Sequence, residues 1–160
     1  MLNEQEIMAE FTAAEAILRG HFILSSGLHS DTYLQCARVL MNPKRAEKLC
    51  AALAQKIAQA LPGQGIDLVV APAMGGVVVG YEMGRQLGVE TIFCERENGE
   101  FTLRRGFRIP QGARILLVED KELNRDKLGR CQIRRGFAVL SAANGLEAVT
   151  AGDCDRALEA

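Results

Sequence analysis

Residues 115–132, ILLVEDKELNRDKLGRCQ, put two carboxylates, Glu119 and Asp120, directly after four apolar residues. Hard cations and sugar hydroxyls both suit carboxylate oxygens, so adjacent acids ending a buried strand read as a sugar- or Mg²⁺-binding pair. In open α/β sheets, ligands gather at the carboxyl ends of the strands, which is where these acids fall. The alternative is a helix N-terminus, whose dipole favours acids. A phosphate site beside them would need small residues with free backbone N–H groups. Lys121, Glu122, Leu123 and Asn124 stand there instead.

A second candidate is APAMGG, residues 71–76. Small residues between a strand and a helix N-terminus let backbone N–H groups face an anion, and the helix dipole adds to this. A plain tight turn uses the same residue types. A third candidate is ERENGEFTLRRGF, which carries Arg96, Arg104 and Arg105, with Arg108 just beyond, around an Asn98-Gly99 hairpin signal. Guanidinium groups suit phosphate and pyrophosphate because they bind bidentately. A solvated charged hairpin is the alternative. SSGLHSDTY offers hydroxyls, Gly27 and His29 in a loop after a strand, or simply a polar surface turn.

The elements that must position these residues follow from periodicity. Ile7, Phe11, Ala14, Ile17 and Leu18 predict a helix over 3–19. Phe22 and Leu24 alternate, a Ser-Ser-Gly turn follows, and Tyr33 and Leu34 resume an extended run. Pro43 opens a long helix with Leu49, Cys50, Leu53, Ile57 and Leu61 on one face, and PGQG stops it. Residues 66–70 are a continuous apolar run, as in a buried parallel strand. A helix over 77–87 ends at Gly88, and ETIFCER is the next strand. This strand–helix–strand unit is the α/β signature. Residues 115–118 predict another buried strand and 122–135 a helix capped by Gly136. FAVLSA predicts a last strand, with one or two short helices after it.

Composition narrows the function classes. The chain has 160 residues, enough for one domain with a real core, and 48% are apolar. A net charge of -1 gives no global field that would favour nucleic acid or a membrane surface. The longest apolar runs fall far short of a bilayer span, and residues 1–10 are too acidic and polar for a signal peptide. The expectation is a cytoplasmic protein without nucleic-acid or membrane partners. Five cysteines without CxxC spacing read as reduced thiols, mostly small core hydrophobes. Only two histidines are present, which excludes a histidine-rich metal site.

Taken together, residues 1 to about 120 resemble bacterial orotate phosphoribosyltransferases. ILSSGLHSDTYLQC is similar to that family's N-terminal orotate segment, and VVAPAMGGVVVGYEMGRQLG to its pyrophosphate-loop unit. TIFCERENGEFTLRRGFRI is similar to its strand plus mobile catalytic hairpin, and ILLVED to the start of its ribose-phosphate motif. The resemblance implies transfer of a phosphoribosyl group from 5-phosphoribosyl 1-pyrophosphate (PRPP) to orotate, with Mg²⁺, giving orotidine monophosphate and pyrophosphate. It also implies a homodimer. On that basis Ser26, Gly27 and Tyr33 would lie near orotate. Met74, Gly75 and Gly76 would contact pyrophosphate through backbone. Glu119 and Asp120 would hold the ribose hydroxyls directly or through Mg²⁺, and Arg96, Arg104 and Arg105 would stabilise the leaving pyrophosphate.

Beyond the acids the pattern changes. The family continues with a Thr/Gly-rich loop for the 5′-phosphate, and this chain does not. Residues 114 to about 150 instead resemble the first half of a response-regulator receiver domain, whose phosphate-accepting aspartate, placed after a third strand, is not in the sequence. The expectation is a chimera joined at ILLVED, engineered or recombined, that folds but has little or no catalysis. Two alternatives stand beside it: orotate phosphoribosyltransferase with residual activity, and a pyrophosphate- or Mg²⁺-binding module without turnover. The fold expected is one α/β domain over 1–160, with a phosphoribosyltransferase-like part (1–113) and a receiver-like part (114–160). It is a doubly wound parallel sheet with helices on both faces, phosphoribosyltransferase-like or flavodoxin-like, with a β-hairpin hood inserted. TIFCER would lie outside DLVVA, followed by ILLVE and FAVLS.

Overall fold

The computed structural model describes residues 2–24, 27–118 and, as backbone, 138–142. The chain divides into two compact units, Met1–Leu49 and Cys50–Ala160.

In the first unit, helix α1 (Glu4–Ala13) starts on a capping box. Glu6 N–H donates to Asn3 Oδ1 at 2.9 Å and Asn3 N–H donates to Glu6 Oε2 at 2.8 Å, so two orphan donors are satisfied at once. The helix expected over 3–19 stops early. Glu15 is left-handed, with φ 50, and Ala16 N–H turns back to the Phe11 carbonyl. Ile17 and Leu18 belong to strand β1 (Ile17–Ile23), where they pair with Leu34 and Tyr33 of β2 (His29–Leu34). Their helical spacing relative to Ile7 and Phe11 carries no weight once the backbone has reversed. Gly27 closes this hairpin at φ 83, a conformation that favours glycine. A short helix α2 (Cys36–Leu40) follows. Glu10 ties α1 to the start of the next helix through Arg45 Nε at 3.2 Å and Lys48 Nζ at 2.5 Å.

Helix α3 (Pro43–Ala60) begins as the sequence predicts. Asn42 Oδ1 accepts from the N–H groups of Lys44 and Arg45, and Pro43 needs no donor partner.

The second unit is built on a five-stranded sheet. Its strands are β3 (Leu68–Pro72), β4 (Glu90–Glu97), β5 (Glu100–Leu103), β6 (Arg114–Val118) and β7 (Ala138–Ala142). The order is β5-β4-β3-β6-β7. β4, β3, β6 and β7 run parallel in the order expected from the sequence, and β5 adds an antiparallel edge by folding back from β4. Asn98 and Gly99, at φ 51 and φ 86, make that reversal, which is the turn an Asn-Gly pair favours.

Alternation along the two strands explains why β3 is apolar throughout and β6 is apolar after Arg114. Val69, Ala71, Leu116 and Val118 face one cluster with Cys50 and Ile57 of α3, Leu61 directly after it, and Met83 of α4 (Gly75–Leu87). Leu68, Val70, Ile115 and Leu117 face another, with Ile92 and Cys94 of β4. Both faces are dry, so no polar residue is tolerated at either phase. The second face is closed by Phe101, Leu103, Phe107 and Ile109. Among the described residues the sheet's two flanking helices therefore lie on one face and the hairpin segment covers the other. The helix expected over 122–135 lies outside the described residues, as do the terminal helices.

α4 sits unusually close to the sheet because of Gly76, Gly80 and Gly84, which share one helix face. A Cβ on Gly84 would stand 2.0 Å from Thr91 Oγ1 and 2.9 Å from the Val89 carbonyl oxygen. A Cβ on Gly80 would stand 2.6 Å from that of Ala71. Gly88, left-handed at φ 70, ends the helix as expected. Cys50 and Cys94 are buried thiols outside any disulfide, in keeping with their reading as core residues, whereas Cys36 is exposed. Burial pushes the Cys50 thiol up to about 12, with Glu82 adding to the shift.

Candidate functional site

The parallel strands bring APAMGG and the arginine hairpin to the same end of the sheet. β3 ends at Pro72, which is in register with Cys94 of β4. One residue on, Ala73 N–H donates to the Cys94 carbonyl at 2.8 Å. The glycine turn is thus fastened directly beside the residue that precedes Glu95. The Ala73–Met74 peptide is cis, and α4 then opens on Gly75 without a side-chain cap from Met74. Met74 is 85% exposed. The two glycines after it differ. A Cβ on Gly76 would press on the Pro72 ring at 2.9 Å, whereas one on Gly75 would meet nothing within 4 Å. Packing therefore accounts for Gly76 and leaves Gly75 unexplained. The helix start has no side-chain cap, so its first backbone N–H groups are of the kind that can face an anion.

The three hairpin arginines are not brought into one cluster. Successive residues of β4 point to opposite faces. Arg96 is directly opposite Phe101, and its guanidinium lies 4.7 Å from that ring's centre. Glu95 points the other way, with Phe93. Arg105 Nη2 donates to Glu95 Oε1 at 2.6 Å, and its guanidinium lies 5.5 Å from the Phe93 ring centre. Arg104 Nε is 3.6 Å from Glu95 Oε2, close enough for an ion pair but too long for a hydrogen bond. Phe107 meets Phe93 edge-on at 5.3 Å. Arg105 and Gly106 both have positive φ, 60 and 74, and Phe107 N–H closes the turn on the Arg104 carbonyl.

Glu95 is the functional candidate that the sequence alone did not single out. Its side chain is 22% exposed, and Oε2 is buried without a hydrogen-bond partner among the described residues. The signal was present in ER and RR at the two ends of a tight hairpin, since a short loop must bring them face to face.

In the first unit Tyr33 is 40% exposed, with its ring 5.6 Å from that of Phe22. Gly27 serves the hairpin turn. His21 Nε2 and His29 Nδ1 stand 2.5 Å apart on adjacent strands. Ser26, Glu119 and Asp120 lie outside the described residues. Glu119 directly follows Val118, the last residue of β6, and the parallel sheet puts that strand end at the same edge as the glycine turn. Among the described residues no group of three His, Cys, Asp or Glu could hold a metal ion, and no helix is long and apolar enough to cross a membrane.

No family model matches the chain. It is 60% identical over 119 residues to the orotate phosphoribosyltransferase of Erythrobacter litoralis, covering 74% of this chain and 61% of that protein. With the enzyme of the same name from Maricaulis maris it shares 54% over 119 residues, again 74% and 61%. This homology runs to about residue 120, and the chain spans about three-fifths of the length of these relatives. Among solved structures, adenine phosphoribosyltransferase from Saccharomyces cerevisiae aligns with TM-score 0.67 at 17% identity, over 89% of this chain and 97% of that one. Orotate phosphoribosyltransferase from Aeropyrum pernix aligns with TM-score 0.57 at 21% identity, over 83% and 76%. The fold is phosphoribosyltransferase-like α/β. None of these relatives or structures supports a fused receiver domain, and the residues that carry that resemblance lie mostly outside the described ones.

Proposed function

We propose that the chain acts as an orotate phosphoribosyltransferase, joining orotate to PRPP in pyrimidine biosynthesis. The observation that carries this reading is the 60% identity over 119 residues, a stretch that includes the glycine turn and the arginine hairpin. The expected chimera gains no such support, and its basis remains the sequence after Val118.

The residues divide the work by chemistry. At the bond-breaking step negative charge develops on the departing pyrophosphate, so donors held in place beforehand lower the barrier most. The uncapped start of α4 at Gly75 offers backbone N–H groups for that purpose, and Arg104 and Arg105 offer bidentate guanidinium groups. Glu119 and Asp120, which follow β6 in the sequence, hold the ribose hydroxyls. Two adjacent carboxylates with water and phosphate oxygens also suit a hard divalent cation. Bound there, Mg²⁺ would neutralise charge on the diphosphate. Ser26, Gly27 and Tyr33 contact orotate. A cytoplasmic homodimer acting as one α/β domain per chain completes the proposal.

The 5′-phosphate would meet Lys121, Glu122, Leu123 and Asn124 in place of a ring of N–H donors. Each lost charge-assisted hydrogen bond costs about 1.5–3 kcal/mol, so residual rather than full activity is expected. The test is orotate consumption by the purified chain with PRPP and Mg²⁺, followed spectroscopically. Slow turnover that needs both PRPP and Mg²⁺ supports the reading. A cooperative melt with no turnover removes it; a pyrophosphate-dependent rise in Tm would then leave a binding module.

A further inference from the structure

We propose that Arg104 and Arg105 form an anion site that Glu95 occupies in the free chain, and that a polyphosphate ligand must displace this internal carboxylate to bind. The inference rests on the reading that this edge of the sheet takes pyrophosphate.

Three features carry it. First, the carboxylate is held unevenly. Oε1 accepts from Arg105 Nη2 at 2.6 Å, while Oε2 is buried without a hydrogen bond among the described residues and Arg104 Nε stays 3.6 Å away. A pair built only to brace the hairpin would satisfy both oxygens, because a buried unsatisfied acceptor is costly. Second, the guanidinium groups remain open to solvent. Arg104 and Arg105 side chains are 58% and 60% exposed, against 22% for Glu95. The arginines are thus more open to an incoming anion than the acid that pairs with them is. Third, Arg105 is held at φ 60, a conformation glycine adopts at less cost. Such strain is kept where the side chain has a use.

Displacement is feasible because partly exposed ion pairs are weak beside charge-assisted bonds to a polyphosphate. It is local as well. Glu95 follows Cys94, whose carbonyl is bonded to Ala73 of the glycine turn, so the acid that holds the arginines is next in sequence to the residue that fastens that turn.

The experiment is calorimetric titration of sodium pyrophosphate into the full chain and its Glu95→Gln variant at fixed ionic strength. The amide keeps the shape and removes the competing charge. The expected result is pyrophosphate binding about three- to tenfold tighter in Glu95→Gln. That gain should vanish when Arg104→Ala and Arg105→Ala are added. Equal or weaker binding by a cooperatively melting Glu95→Gln chain overturns the proposal, and so does a gain that survives loss of both arginines. Where Glu95→Gln does not melt cooperatively, Glu95→Asp carries the test with a smaller gain in the same direction. Orotate turnover separates the two readings. No turnover beside a tighter-binding Glu95→Gln removes the transferase reading and keeps this one; turnover with unchanged affinity does the reverse.

Discussion

The two ends of the parallel sheet are finished in opposite ways. At the amino end, β3 and β6 are locked together before they begin. Asp67 N–H donates to the Arg114 carbonyl at 2.9 Å, and Arg114 N–H returns to Asp67 Oδ2 at 2.8 Å. The Arg114 guanidinium adds two bonds to the same carboxylate, each at 3.2 Å. Every charge there has a partner of matched geometry. At the carboxyl end, among the described residues, α4 starts without a side-chain cap, Met74 is exposed, and Glu95 has an oxygen without a hydrogen bond. A satisfied end braces the fold. An end with unmet donors and an unevenly held counterion is the one to which the proposed function assigns ligand contacts.

The sharpest way to break this comparison is to lift α4 off the sheet. Gly84→Ala should lower stability despite alanine's better helix propensity. The helix gains about 1 kcal/mol, while overpacking against Thr91 and the Val89 carbonyl costs about 1–3 kcal/mol. Thermal melts should therefore show a lower Tm, and an unchanged or higher Tm would mean that α4 does not pack this closely. Gly75→Ala should do the opposite. Its Cβ meets nothing within 4 Å, so Tm should hold or rise by the propensity gain. Pyrophosphate affinity should fall about tenfold if the backbone there approaches the ligand, the loss of roughly one charge-assisted bond. A variant that binds pyrophosphate as well as the parent would show that Gly75 is no part of a cradle.

Asp67→Ala tests the braced end. It should lower Tm less than Gly84→Ala and leave pyrophosphate affinity unchanged, since the lost bonds are exposed and lie at the opposite end of the strands. A change in affinity would mean that the two ends are coupled. The smallest effect is expected from pH. A hydrogen bond from the Arg114 side chain holds the Asp67 carboxyl below its ordinary range, and Arg85 does the same for Glu82. A depressed folded-state pKa contributes stability above the unfolded value, about 4, and loses it as pH falls through the folded value. Melts should show a flat Tm from neutral pH to about 5 and a decline below about 4. Asp67→Ala should make that decline shallower.

Much of this architecture was legible because its causes are local. Continuous apolar runs fixed β3 and β6 as strands buried on both sides, Asn98-Gly99 fixed the hairpin, and Pro43 and Gly88 marked the helix ends. The candidate site was half legible. Small residues after a strand and arginines around a hairpin could be read from their types. Their partition could not, because pleat parity and hairpin register put Arg96 against Phe101 while Arg104 and Arg105 meet Glu95. The first helix was misjudged in length for a related reason: apolar spacing continues through Ile17 and Leu18, but the left-handed Glu15 reverses the chain.

The sequence by itself determined the buried parallel strands and their order, the helices marked by Pro43 and Gly88, and the residue types available to bind an anion. Those depend on hydrophobic period, turn chemistry and side-chain charge, all carried within a few residues. Only the tertiary structure decided that Gly76 is a packing residue while Gly75 is free of packing demands, and that an acid ten residues before an arginine is its counterion. Such distinctions arise when helix, strand and hairpin are brought within contact distance, where one Cβ or one unsatisfied oxygen changes the balance.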